Sequence, residues 1–442
     1  MQYSMAVSLT TEQQAPISAI QSGYNRLIRI SGPAGSGKSV IVKALQEVAD
    51  NIIYCAPTGL ASAAIGGSTV HKQFGVPTGF PLDPDVKCTI LRGSDMSTRF
   101  FGGKRAAPLA RADWIVIDEC SMLRADTLDF IDSALRHARG STKPFGGVGM
   151  LLVGDDGQLP PVATDKDQQA LKAWGYSLPY GINQSRCLKD VKTYSLTRIF
   201  RQASRAEGEL FSRIRTGQQS NLDLRVLNRC VGPSLHGSVT LTPYVAVAKA
   251  ANLRALNALG GEMFDYEVES KDWVGANPVE PISLCRGARV VIKANGSWKA
   301  AGEHQSCVNG DQGTYYGCDK YGRMLIDVDG RGMINLPKKV WTQYKSKIGE
   351  DTQLKQVKSG QFKAFPVLLG WAMTIHASQG STLRRVYIDL PDRDPFTTGL
   401  LYVALSRVTA MKGLRLSRQV KHSDISSAIQ GELCDEQDLL DF

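Results

Sequence analysis

Gly32-Pro33-Ala34-Gly35-Ser36-Gly37-Lys38-Ser39 is the stretch from which the rest of this 442-residue sequence can be read. It fits G-x-x-x-x-G-K-[ST], a pattern with physical content. Its glycines let successive backbone N–H groups curl around phosphate oxygens, and the following helix turns its positive end toward them. Lys38 is placed to reach the β- and γ-phosphates and the Ser39 hydroxyl to ligate Mg²⁺. All eight residues are expected to hold ATP. The flanks agree: RLIRIS (26–31) reads as a strand, and VIVKALQEVA (40–49) repeats apolar residues at helical spacing.

Further strands follow in NIIYCA (51–56), DWIVID (113–118) and GMLLVGD (149–155), with a helix expected over 125–139. Such alternation predicts a parallel sheet with helices on both faces. A P-loop needs a second Mg²⁺ anchor at the end of a neighbouring strand. Asp118 is placed for that role, and Glu119 to polarise the attacking water. Gln158, in GDDGQLPPV (154–162), can reach the γ-phosphate region; the alternative is a Pro-stiffened turn. Arg201 in LTRIFRQ and Arg407 in LYVALSRV are candidates to neutralise charge on the transferring phosphoryl group. Taken alone, either arginine reads first as a surface salt bridge, and the case for both rests on the segments around them.

Residues 77–112 break the alternation with glycine, proline, charge and the pair Phe100 and Phe101, and read as an inserted excursion. A second α/β half begins with SVTLTPYVA (238–246) as a strand and KAANLRALNAL (249–259) as a helix. Short β runs with Gly-rich turns over 284–365 suggest a small inserted barrel. The α/β pattern resumes at VLLGWAMTIHASQG (367–380).

A net charge of +10 and a basic pI near 9.1 favour a polyanionic partner, nucleic acid before anionic membrane. The nine cysteines are odd in number and scattered without a CxxC pair, which argues against a disulfide framework and structural zinc. Reduced thiols in a cytoplasmic setting fit. The opening MQYSMAVSLTTEQQ has no basic region leading into an apolar core, so no signal peptide is expected, and no apolar run suggests a membrane span.

Taken together, these segments resemble the superfamily 1 helicases, and within them the petite-integration-frequency (PIF-type) branch of superfamily 1B, related to the RecD and Dda helicases. The resemblance runs from Leu9 to about Leu416. LTTEQ (9–13) resembles the upstream Q motif, which makes Gln13 the adenine reader. APTGLASAAIGGSTVHKQFG (56–75) is similar to motifs Ia and Ic, DECSM (118–122) to motif II, and GDDGQLPP to motif III. LTRIFRQ resembles motif IV, WAMTIHASQGSTL (371–383) motif V and LYVALSRV (401–408) motif VI. The branch signature is LDFIDSALRHARGSTKPFGG (128–147), with Arg139 and its Pro-Phe-Gly-Gly turn, and VNGDQGTYY (308–316) resembles an SH3-like insert. Two departures stand out: Gly149 where the family usually has Gln, and Ala377 where Lys is common.

The resemblance implies two tandem RecA-like P-loop domains. The first is 1–197, carrying a wedge region at about 77–112; the second is 198–283 and 366–442, interrupted by the SH3-like insert 284–365. It implies an ATP- and Mg²⁺-dependent helicase moving 5′ to 3′ on single-stranded DNA, acting as a monomer on duplexes with a 5′ tail, with G-quadruplex DNA among candidate substrates. A translocase without strand separation is the alternative. Gly380 would join Gln13, Gln158, Arg201 and Arg407 at the nucleotide. Thr58, Thr69, His71, His376 and Gln379 would contact the strand. Phe74 would stack on a base or pack inside, and Phe100 and Phe101 would form a wedge or bury against the main domain.

Overall fold

The computed structural model describes residues 9–425 except 24, 59–60, 63–64, 77–80, 84–102, 162, 179, 203, 274–276, 301–302, 349–353 and 392–398. Phe100 and Phe101 therefore lie outside the described residues. The chain divides into two compact units. Unit 1 comprises residues up to Asp156 with Pro160–Phe200 and Thr342–Ser359; unit 2 comprises Gly157–Leu159, Arg201–Trp341 and the residues from Gly360 onward.

Unit 1 is built on a parallel sheet of β1 (Leu27–Ser31), β2 (Ile52–Ala56), β3 (Ser68–Thr69), β4 (Trp114–Ile117), β5 (Gly149–Gly154) and β6 (Lys192–Ser195). Its strand order is β3-β2-β4-β5-β1-β6. Every residue of β4 and β5 is buried, as expected for parallel strands covered on both faces. Side chains alternate between two cores. Trp114, Val116, Leu151 and Val153 join Ile28, Ile30 and Ile41 on one face. Ile115, Ile117, Met150 and Leu152 join Leu128 and Ile131 on the other. A one-residue slip would exchange the two sets, so the apolar pattern pins the register, Leu27 opposite Met150 and Trp114 opposite Gly149.

That register accounts for one departure from the family pattern. A Cβ on Gly149 would stand 2.5 Å from the Trp114 ring, so the large indole of β4 requires glycine on β5. The branch signature is a clasp. The helix Ala125–Arg139 ends at Gly140 in the left-handed region. The chain then reverses through Phe145 (φ 50°) and Gly146 (φ 63°). A Cβ on Gly146 would lie 2.6 Å from the Leu135 carbonyl oxygen, and the Phe145 ring is fully buried. Arg139 closes the clasp, donating through Nε to the Gly146 carbonyl at 2.9 Å and through Nη1 to Ala110 and Ala112 at 2.7 and 3.0 Å. It thereby satisfies carbonyls at the end of the helix Gly103–Arg111, where a helix has no donors of its own.

Unit 2 holds a second parallel sheet, in the order Ala372–Thr374, Val239–Thr242, Val386–Ile388, Leu414–Leu416. Pro243 ends the strand expected to run to 246, and the helix begins four residues earlier than its apolar spacing suggested, at Val245–Leu259. Between the sheet's first two segments in the chain lies an antiparallel five-stranded sheet, ordered Gly332–Leu336, Met324–Val328, Gln312–Cys318, Arg289–Ile292, Val367–Leu369. It encloses its own core of Tyr315, Met324, Ile326 and Val290. Among the described residues no helix is long and apolar enough to cross a membrane. The described cysteines are all free thiols.

Replacing Arg139 with Ala should lower unfolding stability by about 2 kcal/mol or more, because several buried carbonyls lose a charged donor. Arg139→Lys should recover only part, since one ammonium cannot reproduce the guanidinium fork. Urea unfolding of nucleotide-free protein measures both; an unchanged midpoint for the alanine variant would remove the clasp's structural role.

Candidate nucleotide and DNA site

In an open parallel sheet the loops at the carboxyl ends of strands form the reactive edge. The segment after β1 lies there, anchored by the Gly32 N–H donating to the Gly154 carbonyl at 3.3 Å. Gly35 (φ 81°) and Gly37 (φ 85°) supply the left-handed turns that curl the loop, and Gly37 caps the helix Lys38–Ala44. The loop leaves no room at two of its glycines. A Cβ on Gly32 would press within 2.9 Å of Leu196 and Ser36, and one on Gly37 within 2.3 Å of the Gln13 amide. Lys38 lies folded over the loop, its ammonium donating to the Gly32 and Pro33 carbonyls at 2.7 and 3.0 Å. An incoming phosphate must win it from those two oxygens. Pro33 and Ala34 are buried in the loop, Ser39 faces outward, and the Ser36 hydroxyl is buried without a hydrogen-bond partner.

Gln13 is held against this loop. Its side chain accepts from the Thr10 N–H at 3.0 Å and donates to the Ser36 carbonyl at 3.3 Å, within the helix Thr11–Ser22. The adjacent Glu12 accepts from the Thr197 N–H and hydroxyl at 2.9 and 2.5 Å, which lowers its pKa. The start of motif IV is thus tied to the Q motif. One residue escaped the sequence reading. Phe200 donates its N–H to the Gly35 carbonyl at 2.8 Å, and its ring, half exposed, lies 3.8 Å from where a Gly37 Cβ would be. An exposed aromatic within LTRIFRQ was the available signal.

Asp118 follows β4, two strands away from β1 with β5 between them. Its N–H donates to the Cys55 carbonyl at 2.9 Å, and one carboxylate oxygen accepts from the Glu119 N–H at 2.9 Å. Glu119 sits in the left-handed region (φ 52°), turning the chain sharply after the strand. Burial raises the Asp118 pKa above its ordinary value, against the Glu119 hydrogen bond and the positive charge of Lys38. A hydroxyl and carboxylates are donors suited to a hard cation that keeps waters and phosphate oxygens in its shell. Among the described residues no group of three or more His, Cys, Asp or Glu side chains is placed to hold a metal ion.

The strand candidates in unit 1 are Thr58, Thr69 and His71. Thr58 accepts from the Ala61 N–H at 3.2 Å, closing its own turn. Thr69 caps the helix Val70–Phe74, accepting from the Lys72 N–H at 3.3 Å. His71 has its pKa lowered by burial, then by Arg124, and is neutral at pH 7. Phe74 is a correction: it is 0% exposed in the core with Ile53, Val70 and Ile115, so its ring has no face for a base.

Gln158, Arg201 and Arg407 fall in unit 2. Gln158 is buried, and its main-chain oxygen would stand 2.6 Å from a Cβ on Gly399, the N-cap of the helix Leu400–Leu405. Arg407, just beyond that helix, is 1% exposed and donates to the Val403 carbonyl and Ser406 hydroxyl at 2.9 and 2.7 Å. Arg201 donates to the Ser406 carbonyl at 3.3 Å, so the two guanidinium groups converge on one residue. In the turn after the strand Ala372–Thr374, His376 is exposed, with a pKa lowered by the part of its ring that is covered. The Gln379 amide nitrogen is buried with no hydrogen-bond partner, an open donor. Gly380 (φ 73°) completes the turn.

Residues 8–218 match the model of the PIF1-like helicase family. The ATP-dependent DNA helicase PIF1 of Homo sapiens is 29% identical over 92% of this chain, which spans 60% of the human protein's length. The crystal structure of Bacteroides sp Pif1 in complex with ADP-AlF4 superposes with a TM-score of 0.83, at 27% identity over 98% of both chains. Bacteroides Pif1 bound to ssDNA gives a TM-score of 0.65, at 28% identity over 98% of this chain and 97% of that one.

Asp118 generates a pH prediction. Its folded pKa lies above the unfolded value of about 3.9, so its ionised form costs stability at neutral pH, and the cost fades as pH falls through the folded value. Asp118→Asn, melted in EDTA without nucleotide at pH 7.5, should be at least as stable as the parent, with any advantage vanishing near pH 3. A variant clearly less stable at pH 7.5 would contradict the sign.

Proposed function

We propose that this chain is a member of the PIF1-like helicase family, an ATP-dependent DNA helicase moving 5′ to 3′ on single-stranded DNA. The observation that carries this reading is the joint placement of Lys38 and Asp118 on one parallel sheet, each after a buried strand, as phosphoryl transfer requires. ATP would be held by Gly32, Pro33, Ala34, Gly35, Ser36, Gly37, Lys38 and Ser39. Gln13 and the exposed ring of Phe200 offer the base a polar edge and an apolar face. Ser39 and Asp118 would hold Mg²⁺, which supplies charge neutralisation on the phosphates when bound. Glu119 would orient the attacking water, with Gln158, Arg201 and Arg407 answering the developing charge and Gly380 near the nucleotide.

In this reading the RecA-like domains are 1–197 and, discontinuously, 198–283 with 366–442. The SH3-like insert is 284–365, which contributes four of the five strands of the antiparallel sheet, the fifth being Val367–Leu369, and 77–112 carries the wedge, including Phe100 and Phe101. Thr58, Thr69, His71, His376 and Gln379 would follow the strand; the open Gln379 donor supports its part. Single-stranded DNA and forked duplex are the substrates, by analogy with the Bacteroides Pif1 structure bound to ssDNA and the structure of two Pif1 helicases at forked dsDNA, and the net charge of +10 favours both.

The test is unwinding of duplexes carrying a 5′ or a 3′ single-stranded tail. Unwinding from the 5′ tail alone, dependent on ATP, is expected; unwinding from the 3′ tail alone would overturn the polarity. Lys38→Ala should reduce DNA-stimulated ATP turnover by at least a hundredfold while single-strand binding persists. Full turnover in that variant would sink the ATP-site assignment.

A further inference from the structure

Lys293, at the end of the insert strand Arg289–Ile292, is 4% exposed. A buried lysine is normally found beside a carboxylate. Among the described residues this one has no carboxylate partner. Its ammonium donates instead to the Ala377 carbonyl at 2.8 Å and the Ser381 hydroxyl at 2.7 Å, spanning the turn that carries His376 and Gln379. Asn309 grips the same turn. Its side chain accepts from the Ser381 hydroxyl at 3.3 Å and donates to the Gly380 carbonyl at 3.4 Å, and its carbonyl accepts from the Thr382 N–H at 3.2 Å. Gly310 permits the approach, since a Cβ there would fall 2.2 Å from the Thr382 oxygen. The turn's far end is fastened to Arg407, the Leu383 N–H donating to the Arg407 carbonyl at 2.9 Å.

We propose that Lys293 is a positioning residue for DNA-stimulated hydrolysis, fixing the 375–382 turn from within the β insert and joining His376 and Gln379 to Arg407 as one hydrogen-bonded unit. The inference rests on the reading of that turn as a strand contact. A structural lysine that merely filled space would be replaced by methionine at little cost. This one spends its charge on two groups of a single turn, and the nearest charge acting on it is the like charge of Arg407. Burial first, and Arg407 second, push its pKa down to about 8. The clamp therefore loses its proton within an accessible range, where an arginine in its place would not.

Other groups around it do not mimic that titration. Arg407 is the charge acting on it, and Arg331 is paired with Asp311. His376, already lowered, stays neutral, and the Cys307 thiol is raised by burial. Lys339 is also lowered, but it titrates alike in the parent and in any Lys293 variant, so the difference between them isolates Lys293.

The experiment measures DNA-stimulated ATP turnover against oligo-dT concentration at pH 7, 8 and 9 for the parent, K293M and K293R. K293M should raise the oligo-dT concentration for half-maximal stimulation by about tenfold at pH 7, the scale of one lost charged hydrogen bond. The parent should drift toward K293M between pH 7 and 9, while K293R holds its pH 7 value. Half-saturation unchanged in K293M, or identical pH profiles for parent and K293R, would overturn the proposal. If K293M fails to fold, the parent and K293R profiles still decide. His376→Ala with Gln379→Ala separates the two failures. If that pair binds oligo-dT like the parent, the reading of the turn is wrong; if it weakens binding and K293M does not, only the role of Lys293 is.

Discussion

The pairing of β1 with β5 and of β5 with β4 is the constraint on which the site in unit 1 depends. Each strand is buried on both faces, so its register is held by two cores at once. The functional residues sit immediately past the strand ends, where the chain leaves that packing. Their separation is thus set by strand spacing rather than by loop flexibility. Gly35, Gly37 and Glu119, all in the left-handed region, make the sharp departures. A rigid sheet and tightly turned exits place a lysine and an aspartate on one edge.

Much of this was legible because it is written in short-range patterns. Strands β1, β2, β4 and β5 are apolar runs, and the helix Ala125–Arg139 appears where its periodicity put it. Strands β3 and β6 were not foreseen. The first is two residues long, and the second, Lys-Thr-Tyr-Ser, is polar because it is an edge strand. The site was readable wherever a residue type implied its chemistry. Phe74 stayed open between stacking and packing because an aromatic near a turn looks the same in sequence whether its ring is free or enclosed. Lys293 was invisible for the opposite reason: a lysine in a β run looks like surface, and only the fold encloses it.

Electrostatic cost is concentrated where chemistry is expected. Asp118 is held with a raised pKa and Lys293 with a lowered one, each by burial above all. Both are charges the protein alone leaves poorly compensated. By contrast, Arg213 is paired closely with Asp223 and Arg418 with Asp424. The contrast separates residues that steady the fold at large from residues whose charge is committed to the site, Asp118 toward a ligand and Lys293 toward the turn it holds.

The facing of Trp114 and Gly149 has a consequence for substitution. An indole and a hydrogen occupy together the space that a smaller β4 residue and a longer β5 residue could share, so neither position can change alone without a collision or a void. A longer side chain at 149 would demand a smaller residue at 114, and that shrinkage by itself would open a cavity in the core. Positions 114 and 149 therefore behave as one unit of volume shared across two strands, and a change at either is absorbed only when the other changes with it.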